Sequence, residues 1–169
     1  QIDPVTQFDL KSEKYIISAI RKKYPDHGVL AEEGTGFDRE SPFRWVVDPL
    51  DGTVNYAHGF PVYSVSIALE YKKKGIVGVV YDPEANELYS AARGLGATLN
   101  KKRITVSSQR SLERSLLATG FAYNIRTARK NNLGMFARMM KKAQAVRRLG
   151  SAALDLCWLA AGRLDGFWE

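Results

Sequence analysis

Two aspartates three residues apart, Asp48 and Asp51, stand where an apolar run ends. Trp45-Val46-Val47 reads as a short buried strand that stops at Asp48-Pro49, because proline brings no N–H to a sheet ladder and restricts the residue before it. Gly52 then permits a tight bend, and Thr53 opens a helix whose first N–H groups are free to face an anion. Strand, paired acids, glycine and helix start together make a site for a metal and a phosphate. Taken alone, Asp-x-x-Asp-Gly is also a common turn signal. A second strand strengthens the metal reading: Val29-Leu30-Ala31 runs into Glu32-Glu33, and a carboxylate at the end of a buried strand must be paired or bound to a cation. If the two strands are close in the sheet, Glu32, Asp48 and Asp51 converge. Like charges about 4 Å apart repel by about 4 kcal/mol at an effective dielectric near 20. A hard, oxygen-seeking cation relieves this, and Mg²⁺ suits carboxylates shared with a phosphate.

The elements that must hold these residues follow from periodicity. From about Asp9 to Tyr24, apolar side chains at Leu10, Ile16, Ile17, Ile20 and Tyr24 have helical spacing, with Lys and Arg on the other face. Pro4-Val5-Thr6 is an extended lead-in, Thr6 and Asp9 have the spacing of a capping box, and Pro25 to Gly28 ends the helix, with His27 as a turn residue. Residues 34–43 form a polar, Gly-rich loop. Runs at Tyr63 to Tyr71, Ile76 to Tyr81, Glu87 to Ala92 and Ala97 to Leu99, joined by tight turns such as Lys72 to Gly75, predict an antiparallel meander. After Ser111 the pattern changes to strand (Leu116 to Gly120), amphipathic helix (Leu133, Phe136, Met139, Met140, Ala143), buried helix (Ser151 to Ala161) and strand (Leu164 to Trp168). The methionine stripe reads as core packing. Ser151 reads as a helix start and Gly162 as its stop. The result is an α/β sandwich with two sheet regions: residues 1–110 carry the helix, the meander and the acidic site, and 111–169 begin a second α/β region.

Composition excludes several classes. At 45% hydrophobic and 25% charged residues the chain has ordinary globular proportions, and no apolar run is long enough to span a bilayer. The single cysteine, Cys157, has apolar neighbours, which predicts a buried, inert thiol and fits a reducing, cytoplasmic setting. The formal charge is +7, but its lysines and arginines are scattered and no aromatic-interleaved nucleic-acid motif contains them. Solvated surface charge, with some pull on anionic substrates, is the favoured reading over RNA binding.

Residues 45–56, Trp-Val-Val-Asp-Pro-Leu-Asp-Gly-Thr-Val-Asn-Tyr, with Gly59-Phe60-Pro61 after them, closely resemble the inositol monophosphatase signature, from the Mg²⁺-dependent, lithium-sensitive phosphatase superfamily. The resemblance extends upstream through Pro4-Val5-Thr6-x-x-Asp9 and Ala31-Glu32-Glu33-Gly34. Downstream it includes Gly78 to Pro83, Arg148 to Ala153 and Gly162 to Glu169. It implies a layered αβαβα sandwich of the sugar phosphatase type and Mg²⁺-dependent hydrolysis of a small phosphate monoester, foremost myo-inositol monophosphate. Two or three Mg²⁺ ions per site and a homodimer come with it. Related substrates are fructose 1,6-bisphosphate, histidinol phosphate and 3′-phosphorylated nucleotides, and a regulatory relative that binds RNA or the transcription machinery is the alternative from another class.

The resemblance also implies roles. Glu32 and Asp48, with the Leu50 carbonyl oxygen, correspond to ligands of a first Mg²⁺; Asp48 and Asp51 to ligands of a second; Glu32 also to a contact of a third. Asp9 and the Thr53 hydroxyl correspond to the pair that orients and deprotonates water. Gly52 and Thr53 N–H groups correspond to phosphate holders, and Asp51, Gly150, Ser151, Ala152 and Glu169 to contacts of the inositol hydroxyls. By residue type alone Asp9 is equally a helix cap and Ser151 a helix start. The family pattern begins with helices before residue 1 and continues past Glu169 to a metal-binding aspartate in a Trp-Asp motif, so a longer protein and a more complete metal shell are expected. Lys101 stands where related sequences often carry glycine.

Overall fold

A computed structural model describes residues 7–122, 124–129 and 131–169. Pro4-Val5-Thr6, and with it the Thr6 half of the capping box, lies outside the described residues. Helix α1 (Gln7–Lys23) turns Asp9, Glu13, Ile17 and Ile20 inward. These positions are three or four residues apart, so they share one face. Two carboxylates occupy its first half, and Leu10, expected on the apolar face, is turned out to 38% exposure. Ile17 and Ile20 pack with Val29, Ala31 and Val47, flanked by Ile16, Phe37, Trp45 and Ile67. His27 does more than turn the chain: it stacks against Tyr24 and Phe43, and its Nδ1 accepts the Trp45 indole N–H at 3.1 Å.

Strand β1 (Gly28–Ala31) lies parallel to β2 (Phe43–Asp51), with Ala31 opposite Val47. Contrary to the expectation of a stop at Asp48, β2 runs through Pro49 to Asp51. Asp48 pairs with Ser66 and Asp51 with Ser64, so Pro49 and Leu50 together face Val65. This bulge is where a strand tolerates a residue with no N–H to donate. After the short helix α2 (Thr53–Ala57), strands β3 (Ser64–Tyr71), β4 (Lys74–Asp82), β5 (Glu87–Ala92), β6 (Gly96–Leu99) and β7 (Lys102–Arg103) extend the sheet antiparallel in chain order, as the meander pattern predicts. The β3–β4 turn is tighter than Lys72 to Gly75, because Lys72 and Lys73 both adopt positive φ (48° and 62°) and β4 starts at Lys74.

A single 3₁₀ turn (Leu112–Arg114) leads to the second sheet. Its strands β8 (Leu116–Thr119), β9 (Ala145–Arg147) and β10 (Gly166–Trp168) are parallel in the order β10-β8-β9, with α3 (Leu133–Met140) and α4 (Ala152–Ala160) between them in sequence. Helix α4 packs on β10 and also on β3 and β4, which joins the two sheets. The mixed α/β architecture is the one the element order predicts. Two packing expectations fail. On α4 only Leu154 and Asp155 are buried and Leu156 is half exposed, because the sheets cover one side of the helix. Helix α3 rests on β9 and buries none of its residues, so its methionine stripe is a surface feature rather than core. Among the described residues no helix is long and apolar enough to cross a membrane.

Ile17→Ala should cost about 2–5 kcal/mol of stability, as for other large-to-small core changes. Leu10→Ala should stay within about 0.5 kcal/mol, the usual size of a surface change. Urea unfolding of the two variants checks which face of α1 is buried.

Candidate active site

The parallel pairing of β1 and β2 determines where their terminal acids go. With Ala31 beside Val47, the next residues, Glu32 and Asp48, stand side by side where β1 ends and β2 continues, and the Glu32 N–H still reaches the Val47 carbonyl at 3.2 Å. Their carboxyl groups face each other closely enough to share a proton. Burial first, then this contact and the nearby charges of Glu32 and Asp51, push the Asp48 carboxyl up to about 8. The Leu50 N–H, donated to Asp48 Oδ1 at 3.1 Å, acts in the opposite direction.

Gly52 turns the chain after β2. It adopts the left-handed conformation (φ 94°), and a Cβ there would come within 2.8 Å of the Val62 carbonyl oxygen, so both backbone and space require glycine. Thr53 follows. Its hydroxyl donates to Leu50 O at 2.9 Å and toward Asp9 Oδ1 at 3.2 Å, the Asp9 carboxylate being 1% exposed. One turn further along α1, Glu13 is fully buried and clamps the loop after Glu32. Its Oε2 accepts the Glu33 N–H at 2.8 Å, and its Oε1 accepts the Thr35 N–H at 3.2 Å and the Thr35 hydroxyl.

Asp51 connects this region to the second sheet. Its Oδ2 accepts the Ser151 hydroxyl in a short hydrogen bond and the Ala153 N–H at 2.9 Å, which leaves Oδ1 for the site. Ser151 caps α4 as well, accepting the Leu154 N–H at 3.3 Å, so the helix-start reading and the contact with Asp51 both hold. Asn55 donates to Val62 O and to Leu149 O, both at 2.7 Å, which draws the Leu149-Gly150 turn against α2. Gly150 (φ 91°) lies so close to the Asn55 amide that a Cβ would be about 3 Å from it. These contacts enclose a cavity of about 210 Å³ lined by Glu32, Asp51, Gly52, Gly120, Arg148, Gly150, Ser151, Ala152, Asp155 and Glu169. Burial, then the charges of Asp51 and Glu169, push the Asp155 carboxyl up to about 7, with Arg148 opposing. Glu169 sits so close to Gly120 that a side chain at 120 would collide with its carboxylate.

Of the sequence-predicted site residues, Glu32, Asp51, Gly52, Gly150, Ser151, Ala152 and Glu169 line the cavity, Asp48 stands beside Glu32, and Leu50, Thr53 and Asp9 form a hydrogen-bonded group next to Asp48 outside the lining. Glu13, Arg148 and Asp155 were not singled out. For Glu13 the readable signal was an acid on the helix face shared by Asp9, Ile17 and Ile20; for Asp155 it was one acid inside an apolar helix. Cys157 lies outside this site, half-buried, its thiol pushed up to about 12 by burial first and then by the charge of Asp51. Among the described residues no three Asp, Glu, His or Cys side chains close on one point tightly enough to hold an ion by themselves. The donors at hand are hard carboxylate oxygens of Glu32, Asp48 and Asp51. That set fits Mg²⁺, which keeps several waters and is held by one or two carboxylates together with a substrate phosphate.

Residues 1–169 match the model of the inositol monophosphatase family. The chain belongs to this family. It is 49% identical over 168 residues to an inositol-1-monophosphatase of Synechocystis sp., an alignment covering 99% of this chain and 58% of that relative. It is 46% identical over 168 residues to a Nus factor SuhB of Pasteurella multocida, covering 99% of this chain and 63% of that one. The solved structure of an inositol monophosphatase from Anabaena (Nostoc) sp. superposes with a TM-score of 0.91 at 47% identity, over 95% of this chain and 64% of the other. The chain spans about three fifths of the length of these curated relatives.

Two measurements probe this cluster of carboxylates. Glu13→Gln exchanges an acceptor oxygen for an NH₂ facing the Glu33 and Thr35 donors, which should cost about 1–3 kcal/mol and speed amide exchange at residues 33–35. The Asp48 carboxyl has its folded value near 8, above the ordinary 3.8, so the stability it contributes is full below 3.8 and lost as pH rises through 8. In EDTA the melting temperature should fall across that window, and Asp48→Asn should flatten the fall and raise stability at its alkaline end.

Proposed function

We propose that the protein is a Mg²⁺-dependent phosphomonoesterase whose substrate is a small phosphorylated polyol, foremost myo-inositol monophosphate. The observation that carries this is the joining of two arrangements in one cavity. A carboxylate pair, Glu32 with Asp48, stands beside the Thr53–Asp9 hydrogen bond, and Asp51 links both to Ser151 and the acidic wall at Asp155 and Glu169. Four carboxylates against one arginine would repel a phosphate dianion, so a phosphate here requires cations. Glu32, Asp48, Asp51 and the Leu50 carbonyl would hold Mg²⁺ (two or three ions), which would supply charge to draw in the phosphate, acidify the attacking water and offset charge on the leaving oxygen.

The chain's own groups do the rest. Thr53 Oγ1 accepts a proton from the attacking water and passes its own to Asp9 Oδ1, along the hydrogen bond already directed that way. The water oxygen bonds to phosphorus as the ester P–O bond breaks in line, and the departing alcohol takes a proton from solvent. Gly52 and Thr53 N–H groups hold phosphate oxygens, while Asp51, Gly150, Ser151, Ala152 and Glu169 receive the hydroxyl-bearing part. The motif carries no serine or cysteine nucleophile, so hydrolysis proceeds without a phospho-enzyme. The single Cys157 supports a cytoplasmic setting, and the family expectation is a homodimer.

A second reading has its own support: a relative 46% identical is named a Nus factor, and the chain carries a formal charge of +7. On this reading the protein binds RNA or the transcription machinery with its basic surface. Salt-dependent RNA binding that survives Asp48→Asn would support it.

In the full chain Asp48→Asn should abolish Mg²⁺-dependent hydrolysis of myo-inositol 1-phosphate, and retained activity would overturn the enzyme reading. Thr53→Ala should lower kcat by about 10²–10⁴ with little change in KM, the size of a lost proton-transfer group. A panel including fructose 1,6-bisphosphate, histidinol phosphate and 3′-phosphoadenosine phosphate, ranked by kcat/KM, decides the substrate.

A further inference from the structure

Asp155 is 1% exposed, and its Oδ1 is one of three buried side-chain polar atoms among the described residues with no hydrogen-bond partner. A buried carboxylate oxygen without a donor is costly, so the fold would be expected to satisfy it. Its own surroundings do not. Asp155 lies in the first turn of α4, where free helix N–H groups are the usual partners, but two of those groups are taken and none reaches Oδ1: Leu154 N–H goes to Ser151 and Ala153 N–H to Asp51. Arg148 lines the same cavity and forms no ion pair with it. Oδ1 thus has no task in holding α4, yet Asp155 lines the cavity shared with Asp51, Ser151 and Glu169.

We infer that Asp155 is a specificity-determining residue for the alcohol half of the substrate, its Oδ1 accepting a hydrogen bond from a hydroxyl of a polyhydroxylated leaving group. The inference rests on the phosphomonoesterase reading and deepens it. A phosphate dianion is the wrong occupant for this side of the cavity, where Asp51, Asp155 and Glu169 would repel it. A cationic group would satisfy the carboxylates but leave the Arg148 guanidinium on the same wall without an acceptor. A neutral polyol supplies O–H donors to the carboxylates and oxygen acceptors to the guanidinium at once. A site built to hydrogen-bond a hydroxyl discriminates strongly against an analogue that lacks it, because its buried polar group is then left unpaired.

The test compares two esters in the full chain. Asp155→Ala should lower kcat/KM for myo-inositol 1-phosphate by about 10–100-fold, the range for one buried hydrogen bond. For phenyl phosphate, whose leaving group bears no further hydroxyl, the change should be no more than about threefold. Asp155→Asn keeps an acceptor oxygen of the same shape and should recover most of the loss, which a purely steric role would also allow. A set of deoxy-inositol phosphates separates the two: one analogue should be hydrolysed equally by wild type and Asp155→Ala. Equal losses on both esters, no loss on the inositol ester, or no analogue that removes the difference would overturn the inference. Should Asp155→Ala not fold, Asp155→Asn and Asp155→Ser are compared on the same series, and indistinguishable profiles for wild type and Asp155→Ser overturn it. If the wild type hydrolyses neither ester with Mg²⁺, the phosphomonoesterase reading itself fails.

Discussion

Negative charge crowded at one end of the sheet is the constraint that the surrounding structure answers. Asp9, Glu13, Glu32, Asp48, Asp51 and Asp155 all converge on the β1–β2 end and the start of α4, and carboxylates at that density repel strongly away from water. The fold compensates largely with backbone N–H groups. Leu50 donates to Asp48, Glu33 and Thr35 to Glu13, and Ala153 to Asp51. Each of these donors belongs to a segment that must lie in one place for the site to exist: the bulge, the loop after β1 and the start of α4. Neutralising an acid and positioning a segment are one act in each case.

That coupling explains why the site straddles two sheets. The large sheet is a local meander in which each strand pairs with its sequence neighbour, whereas α4 comes from the far part of the chain. Asp51 meets Ser151 and Ala153 across separations of 100 and 102 residues, and Asn55 meets Leu149 across 94. The polar groups that would do chemistry are also the ones that join the layers. A separate clamp, Arg163 with Glu87 at 2.6 Å and with the Tyr89 hydroxyl, ties β5 to the segment before β10 on the other side of α4.

Much of this is legible in the sequence. The acids at the ends of two apolar runs announced Glu32 and Asp48, the tight turns announced the meander, and Gly150-Ser151 announced the start of α4. What escaped notice had physical reasons. The strand through Pro49 was hidden because a bulge is a property of pairing with β3, which local sequence does not display. Glu13 and Asp155 are hidden because an acid in a helix ordinarily faces solvent, and only the packing of segments distant in sequence buries these two. The methionines of α3 and Leu156 of α4 were assigned to a core because periodicity reports that a helix has an apolar side and says nothing about what covers it.

The hydrogen bonds from Ser151 and Ala153 to Asp51 also bear on the order in which the protein becomes competent. During synthesis the meander can pair as it emerges, since its contacts are near in sequence and close quickly. Asp51 at that moment lacks two of its donors, and Gly150, whose turn is held by Asn55, has yet to be made. A ribosome must add about a hundred residues after Asp51 before its carboxylate is held in place. A half-made chain would thus carry the signature motif in a folded sheet and still be unable to orient a ligand, so binding competence arrives in one late step.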